Sequence, residues 1–510
     1  MPKKSTLIWL IILGVLLLTC LPLLKFGFFD VHDPTHLGRV YLLRETLMDG
    51  QIPAVWANTA NLGYGYPLFH FYAPAFYYLV AFIGIFTPTL LTALKLSLIL
   101  ISLSGGIGMY YLMKRYGHLV GLLSAVSFLL VPYRAIGLFV RGSYAELFAI
   151  MLLPWLFWAW RSLNPRRVGV TSVITALFLL SHNLIPLLVA PFLMVWTLLY
   201  QGKHLRRVVI TAMLSLLLAS FYLLPLIFER DFVQVDALSR LTNYSLHFVS
   251  PSQLWDSVWG FGGSAPGLED GISFKIGKLH LILAGLGVIV GLRHKKAQTL
   301  ALFAGVTLLF SVIMTTSFSR ILWDNIFVLQ VIQFPWRFLA LISLAVSVLA
   351  GLSVTLFKST QLRTLYTILT ISLLLFFNLK YFSPQAQKPY SDQEFTNTTF
   401  LQNELAAKVP EFLPVWVSSF PESQAPSLPT SQEGPGTFVL PRTYYPTWVA
   451  TDNGMPLALR PSQDGLIEFD LLDDSHEIVI TQSHTLLESI ASFISLITLF
   501  VVGYLYVKSR

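Results

Sequence analysis

Apolar runs close to twenty residues long recur along the chain, and short clusters of lysine and arginine separate many of them. A run of that length crosses the hydrocarbon core of a bilayer as one helix, and a helix satisfies its own backbone groups there. The pattern therefore predicts a helical protein that crosses a membrane many times. Composition agrees: of 510 residues, 55% are hydrophobic and 12% charged, about half the charged share of a soluble domain. The first run, Thr6 to Leu24, follows Met1-Pro2-Lys3-Lys4 and has no small-residue cleavage site after it. It reads as a retained first helix that also directs insertion. The single cysteine, Cys20, lies inside that helix, so neither a disulfide framework nor a cysteine metal site is expected.

The basic clusters set the expected topology. They lie at Lys114-Arg115, Arg161 to Arg167, Lys203 to Arg207, Arg293 to Lys296, Lys358 to Arg363 and Lys508 to Arg510. With Lys3 and Lys4 they hold 17 of the 34 basic residues and none of the 26 acids. Short basic loops stay in the cytoplasm. The pI near 9.3 is then a sign of membrane orientation, and no nucleic acid is expected as a partner. Pro74 to Phe86 is apolar but too short to cross, and laying it along the outer surface places every cluster inside. About twelve helices follow, roughly 6–26, 88–112, 118–137, 145–160, 168–182, 184–201, 207–227, 278–292, 298–316, 337–357, 364–382 and 487–507. Both termini are then cytoplasmic, and the outer loops are 27–87, 138–144, 228–277, 317–336 and 383–486.

The first outer loop opens with FFDVHDPTH, Phe28 to His36. Asp33-Pro34 reads as an N-cap followed by proline at the first helical position. The helix from Pro34 to Met48 would carry Leu37, Val40, Tyr41 and Met48 on one face, and Asp49-Gly50 ends it. His32-Asp33-x-x-His36 has the outline of a zinc-protease helix, but His32 falls before the cap, so the two imidazoles need not share a face. Asp30, His32, Asp33, His36, Arg39, Arg44 and Glu45 crowd one membrane surface, where a carboxylate can act as base or metal ligand. The bland account keeps Asp33 as a cap only. The loop continues through Trp56 and then Gly63-Tyr64-Gly65-Tyr66-Pro67-Leu68-Phe69-His70. This is either an interfacial aromatic belt or a wall that stacks sugar or faces lipid.

Other polar groups fall at predicted outer helix ends: Lys95, Arg134, Arg141 and Glu146 in the R-G-S-Y-A-E turn, Ser181-His182-Asn183, and Arg337 in F-P-W-R-F. Arginine forks suit phosphate oxygens, and lysine suits them as a point charge; snorkelling to lipid headgroups is the alternative. Several cations on the side that carries the acids favour an anionic, lipid-linked ligand. No dinucleotide fingerprint follows a strand and no P-loop is present, so a donor would arrive by way of the membrane.

In order along the chain stand the acidic loop, an amphipathic helix, G-Y-G-x-P…F-Y-x-P, R-G-x-x-A-E, S-H-N and F-P-W-R-F. This layout resembles bacterial and archaeal membrane proteins labelled "6-pyruvoyl-tetrahydropterin synthase-related", although nothing in the sequence supports the activity in that label. That group is similar in turn to the GT-C glycosyltransferases. The likeness covers residues 6–382 in layout, with the motifs confined to 30–78, 134–146, 181–183 and 333–338. It reaches the C-terminus through Tyr444-Tyr445-Pro446-Thr447-Trp448.

The resemblance implies transfer of a sugar from a polyprenyl-(di)phosphate carrier to an extracytoplasmic glycan or protein acceptor, in the plasma membrane among its lipids. Asp33 is the best match to the family's acid, with Asp30 second. Arg141 and Glu146 loosely match a second-loop R…G…E pattern, and Arg337 matches the nearer group alone. Implied contacts to the substrate are His32, His36, Arg39, Arg44, Trp56, Tyr64, Tyr66, His70, Lys95, Arg134, Arg141, Glu146, His182 and Arg337. Many GT-C loops carry D-x-D, whereas this one has D-x-x-D. A divalent cation (Mg or Mn) at Asp30 and Asp33 and a metal-free site both stay open, as does a non-catalytic protein that binds, flips or transports a lipid-linked sugar. A transporter would show internal repeats or ionisable groups near the midplane; no repeat is visible.

The expected fold is an all-α polytopic membrane protein, GT-C-like, with a small extracytoplasmic β-domain. Residues 1–382 form the transmembrane domain and 383–436 a linker rich in Pro, Ser and Gln toward its end. Residues 437–486 form the β-domain, with alternating strands and an Asp452-Asn453-Gly454 turn. Residues 487–510 supply the last helix and tail.

Overall fold

In the computed structural model of the chain, residues 4–234, 243–402, 412–419, 421, 423–426, 432–433, 435–471 and 475–508 are described. Parts of the predicted linker 383–436, among them 403–411 and 427–431, and the ends of the outermost basic clusters, Lys3 and Arg510, lie outside them. The helices are α1 (Lys4–Leu24), α2 (His36–Met48), α3 (Ala75–Gly84), α4 (Leu90–Met113), α5 (His118–Leu129), α6 (Pro132–Phe139), α7 (Tyr144–Arg161) and α8 (Val168–Leu179). There follow α9 (Ile185–Gln201), α10 (Leu205–Leu218), α11 (Ser220–Phe228), α12 (Lys278–Arg293), α13 (Gln298–Thr315), α14 (Leu339–Ser353), α15 (Thr360–Asn378) and α16 (Leu486–Lys508).

Among the described residues seven helices are long and apolar enough to cross a membrane, or eight if α5 and α6, bent by 41°, count as one span. The chain is thus a mainly helical membrane protein with a small C-terminal β region. The other predicted spans do form helices, and their lengths and polarity set them apart. α8 and α12 have 12 and 16 residues. α7 carries Glu146 and Arg161 at its ends and three tryptophans. The predicted spans 184–201 and 207–227 meet in one helical stretch, Ile185–Leu218. α3 has ten residues, too few to cross.

α14 is the central post, with every residue buried. It packs against α5, α12 and α13. Small residues permit the close approach: a Cβ on Gly351 would meet the Ser124 hydroxyl and lie 2.7 Å from the Val120 carbonyl oxygen. Outer helices instead expose leucine along their length, as at Leu7, Leu10, Leu17 and Leu21 of α1 and Leu496, Leu499 and Phe500 of α16. In water such faces would be an aggregation hazard; in lipid they are solvated.

The basic clusters at 114–115 and 161–167 gather at one end. Arg161 donates to the Tyr116 hydroxyl and lies 4.3 Å over the Tyr200 ring. Lys114 lies over Tyr111, and Arg167 over Trp158. Val502 of α16 touches Gly169, beside Arg167.

At the opposite end the first loop folds onto the turn after α6. The backbone N–H groups of His32 and Asp33 donate to the carbonyls of Val140 and Arg141, at 3.0 and 2.9 Å. Strands β1 (Phe28–Phe29) and β2 (Gln387–Lys388) pair antiparallel, and the Asp392 carboxylate accepts from the N–H groups of Leu90 and Leu91 at the head of α4. α2 begins two residues later than the sequence suggested. Asp33 does not cap the helix itself; its carboxylate accepts from the Thr35 N–H and hydroxyl within the preceding turn. Leu37, Val40 and Leu43 are buried, while Met48 is exposed.

The C-terminal region holds β3 (Gly436–Thr443), β4 (Trp448–Asp452), β5 (Met455–Leu457), β6 (Arg460–Pro461), β7 (Leu466–Leu471) and β8 (Ile478–Gln482). They form two antiparallel three-stranded sheets, β3-β7-β6 and β8-β4-β5, and Leu440, Ile467, Phe469 and Leu471 fill a small core of their own. Asn453 and Gly454 both have positive φ in the two-residue turn joining β4 to β5, as a primed hairpin turn requires.

The sheets sit on the first loop. The Thr443 N–H donates to the Tyr64 carbonyl, and Trp56 packs 5.3 Å from Tyr445 and 5.8 Å from Trp448. If this end faces outward, Asp464→Cys will be labelled on intact cells by a membrane-impermeant maleimide, and Lys295→Cys only after permeabilisation. The buried Cys20 gives little background. The reverse pattern would invert the topology.

Candidate functional site

A cavity of about 530 Å³ opens at the end where the first loop folds back. Its polar lining comes from His32, Asp33, Arg39, His182, Asn183, Arg230 and Arg337. Its apolar lining comes chiefly from Leu184, Leu187, Leu226 and Val331. Leu187 and Val331 are exposed.

Asp33 stands at the polar rim, its side chain about one-third exposed. Besides Thr35, its carboxylate has His36 Nε2 at 3.4 Å and an Arg39 nitrogen at 3.6 Å. Burial opposes ionisation, but Arg39, the His36 ring and the Thr35 hydroxyl outweigh it and hold the carboxyl well below the usual carboxylate range. His36 is buried, and that burial outweighs the pull of Asp33 and lowers the imidazole pKa, favouring the neutral ring. Its Nδ1 lies 2.9 Å from the Tyr77 hydroxyl. Arg39 donates to the hydroxyls of Tyr72 and Tyr77 at 2.9 and 3.2 Å, and its guanidinium lies 4.2 Å over the Tyr72 ring.

Deeper, Glu146 at the head of α7 is held by two arginines. Arg141 grips it with both forks, at 2.8 and 3.0 Å, and Arg337 Nε lies 3.5 Å away. The Tyr133 hydroxyl donates to the same carboxylate at 2.6 Å. Arg337 also donates to the Ile332 carbonyl and to Gln333 Oε1. Arg141 lies 4.3 Å over Trp336, which stacks on Phe334. Counting Arg39, Arg141 and Arg337 against Asp33 and Glu146, one positive charge is left over. Arg39 and Arg337 each keep a buried Nε without a hydrogen-bond partner.

The S-H-N motif positions this wall. His182 Nδ1 accepts from the N–H groups of Leu184 and Ile185 at the head of α9, which leaves Nε2 to carry the proton. Burial lowers the ring to about 3, so it is neutral. Asn183 clamps the first loop, donating to the Phe71 carbonyl and accepting from the Ala73 N–H.

Asp33, His32, Arg39, His182 and Arg337 line one cavity; His36, Arg141 and Glu146 stand directly behind them. The remaining predicted contacts go elsewhere. Asp30 pairs with Lys388 and accepts from Tyr390, so Asp30 and Asp33 are engaged by different partners. Lys95 donates to the carbonyls of Lys25 and Gly27 just past α1. Arg134 is buried against α1, donating to Thr19, Cys20 and the Leu129 carbonyl. Arg44 does not line the cavity. Trp56 and Tyr66 are fully buried, and with Tyr64 they form the bed of the β region rather than a face open to sugar. His70 is buried between Glu229 and Glu488.

Sequence reasoning missed Tyr72, Tyr77, Gln333, Glu229 and Glu488. The last had a signal, being the single acid in the apolar run 487–507, where an ionisable group marks a site by default.

Two substitutions test this frame. Glu146→Gln leaves two buried guanidiniums without their counter-charge, and breaking such a pair costs about 3–5 kcal/mol. Gly142 has φ +67°, and a Cβ there would lie 2.5 Å from Val31 Cγ2 and 3.0 Å from the Asp33 carbonyl. Gly142→Ala should therefore lose about 1–3 kcal/mol. Both variants should melt earlier in detergent than the wild type; an unchanged melt would mean that the turn does not hold the loop.

Residues 69–384, well over half of the chain, match the family model described as "6-pyruvoyl-tetrahydropterin synthase related domain; membrane protein". A search of curated proteins finds no match. Among solved structures the chain is similar to the arabinofuranosyltransferase AftD from mycobacteria, with 13% identity, a TM-score of 0.48, and coverage of 76% of this chain and 28% of that one. It is also similar to the apo oligosaccharyltransferase of Archaeoglobus fulgidus, with 12% identity, a TM-score of 0.40, and coverage of 75% and 56%. The chain thus spans little more than a quarter of the first protein's length and just over half of the second's. At these scores the likeness does not extend to activity. By its sequence the chain belongs to the 6-pyruvoyl-tetrahydropterin synthase related family of membrane proteins.

Proposed function

We propose that this protein is a membrane glycosyltransferase that moves a sugar from a polyprenyl-phosphate or polyprenyl-diphosphate carrier to an acceptor hydroxyl on the outer face of the cell membrane. The observation that carries this reading is the mixed lining of the cavity. A carboxylate, three arginines and two histidines line it together with exposed leucine and valine. Such a site suits an amphiphile with an anionic head. The motif likeness to GT-C enzymes noted in the sequence points the same way.

The acceptor hydroxyl donates to Asp33. Its oxygen attacks the anomeric carbon from the face opposite the carrier, the new C–O bond forms, and the bond to the carrier phosphate oxygen breaks with its electron pair. The acceptor proton passes to Asp33 as the bond forms. Arg337 and Arg39 stabilise the charge that grows on the leaving phosphate, and His182 offers an Nε2–H donor. Because its pKa is depressed, Asp33 is ionised before the acceptor arrives and takes the proton late in the transfer, when the attacking oxygen is most acidic.

Purified protein in liposomes, given radiolabelled polyprenyl-phosphate sugars and a cell-envelope acceptor extract, provides the test. Asp33→Asn should lower transfer by about 10²–10⁴-fold while donor binding persists. Arg337→Gln should weaken donor binding by about 10–100-fold. Transfer by Asp33→Asn at the wild-type rate would remove Asp33 from the chemistry. Donor binding without transfer by the wild type would favour a protein that carries or flips the lipid-linked sugar.

A pH series gives a further check. The lowered Asp33 stays ionised down to pH values below the ordinary carboxylate range, and its contribution to stability is lost only as pH falls through that depressed value. His182, at about 3, stays neutral, and the arginines do not titrate. In a His32→Gln background, which removes the other imidazole lining the cavity, affinity for a phosphodiester donor should therefore be flat between about pH 5.5 and 8. A sharp transition near pH 6.5 would assign donor binding to a different histidine.

A further inference from the structure

Outside the cavity, three titratable side chains from distant parts of the chain meet in the interior. His70 comes from the first loop, Glu229 from just past α11 and Glu488 from the first turn of α16. All three are buried, and one ligand atom from each lies within 4.8 Å of the other two. We propose that His70, Glu229 and Glu488 form a binding site for a divalent transition-metal ion of the zinc class, which clasps the last helix to the first loop.

Three observations favour a cation here over a simple ion pair. First, the contacts are short but misaligned. Glu488 Oε1 lies 2.7 Å from His70 Nδ1 and Glu229 Oε2 lies 2.8 Å from Nε2, yet none of these four atoms makes a contact with hydrogen-bond geometry. The two glutamates meet different ring nitrogens, so one nitrogen would serve the ion and the carboxylate at the other would swing to the same side. Second, Thr485 occupies the other oxygen of each carboxylate. Its hydroxyl donates to Glu229 Oε1 at 2.6 Å and its N–H to Glu488 Oε2 at 2.7 Å. Each glutamate is thus oriented by one oxygen and leaves the other for an ion, the usual division of labour around a bound metal. His484 Nδ1 also stands 3.4 Å from Glu488 Oε2.

Third, the Tyr445 hydroxyl is fully buried and has no partner. It lies within electrostatic reach of both carboxylates, and its ring is 5.9 Å from that of His70. It stands ready as a fourth ligand or as the partner of a bound water.

Charge points the same way. Two buried carboxylates against one imidazolium leave a net negative charge in the interior, which is costly unless compensated. A divalent cation on two carboxylates and a neutral imidazole brings the set to zero, and the imidazole proton leaves to solvent on binding. Metal–ligand bonds of about 2.0–2.2 Å in a tetrahedral arrangement place ligand atoms about 3.3 Å apart, so the three ligand atoms, now within 4.8 Å of one another, would draw together around one ring nitrogen. The mixture of one nitrogen and two carboxylate oxygens suits zinc better than calcium or magnesium, which favour oxygen alone.

The test uses the full chain in detergent, stripped with chelator and titrated with ZnCl2. The wild type should take up one zinc per chain, and its melting temperature should fall on chelation and recover on adding zinc. His70→Gln and Glu488→Gln should bind at least about 100-fold more weakly. If either variant fails to fold, the wild-type titration decides alone. A wild type that takes up no zinc above background and melts at the same temperature with and without chelator would overturn the proposal and leave a buried ion pair. Uptake undiminished in both variants would also overturn it.

Discussion

The carboxylate of Glu146 is the interaction on which the rest of the site depends. It is buried at the head of α7 and can be ionised there only because Arg141 and Arg337 share it. Through Arg141 it fixes the turn after α6, and that turn supplies the carbonyls that accept from His32 and Asp33. Through Arg337 it draws the Phe334–Arg337 segment, and with it the head of α14, against the same wall. One acid therefore positions the loop that carries Asp33 and the arginine that faces it. The two guanidiniums exceed it by one charge, and that surplus makes the cavity attractive to an anion.

The first loop is held from the other side by the C-terminal region. Trp56, Tyr64 and Tyr66 look from the sequence like a sugar-stacking wall, but the β region covers them. Aromatic rings bury large areas and accept close packing from glycine; at Gly65 a Cβ would lie 2.4 Å from the Trp56 indole nitrogen. The glycines there serve contact with protein. The loop is thereby shaped between Glu146 and its arginines on one side and the β region with α16 on the other.

Much of the candidate site was legible in sequence because membrane proteins place few charges by chance. Asp33, Arg39, Glu146, His182 and Arg337 stood out as charged or ionisable groups beside apolar runs, and they do gather around one cavity. The same logic misplaced Arg134 and Lys95. Both were expected on the outer side, yet Lys95 donates to carbonyls just past α1, and Arg134 to the Leu129 carbonyl and to Thr19 and Cys20 of α1, instead of facing the cavity. Sequence gives a residue's depth along a helix but not the direction it faces, and a buried cation is equally well satisfied by carbonyls or by a ligand. Glu229 and Glu488, 259 positions apart, could not be joined to His70 without the tertiary fold.

By itself the sequence determined the class of the protein, the place of nearly every helix, the β character of the C-terminal region and the Asn453-Gly454 hairpin. These follow from hydropathy, period and turn chemistry, which are local properties. Only the tertiary structure decided which helices stand inside and which face lipid, that Asp30 and Asp33 part company, and that the loop aromatics are covered. Those outcomes depend on which side chains from distant segments compete for the same partner. Lys388 takes Asp30, Arg39 and His36 take Asp33, and Tyr445 takes the face of Trp56.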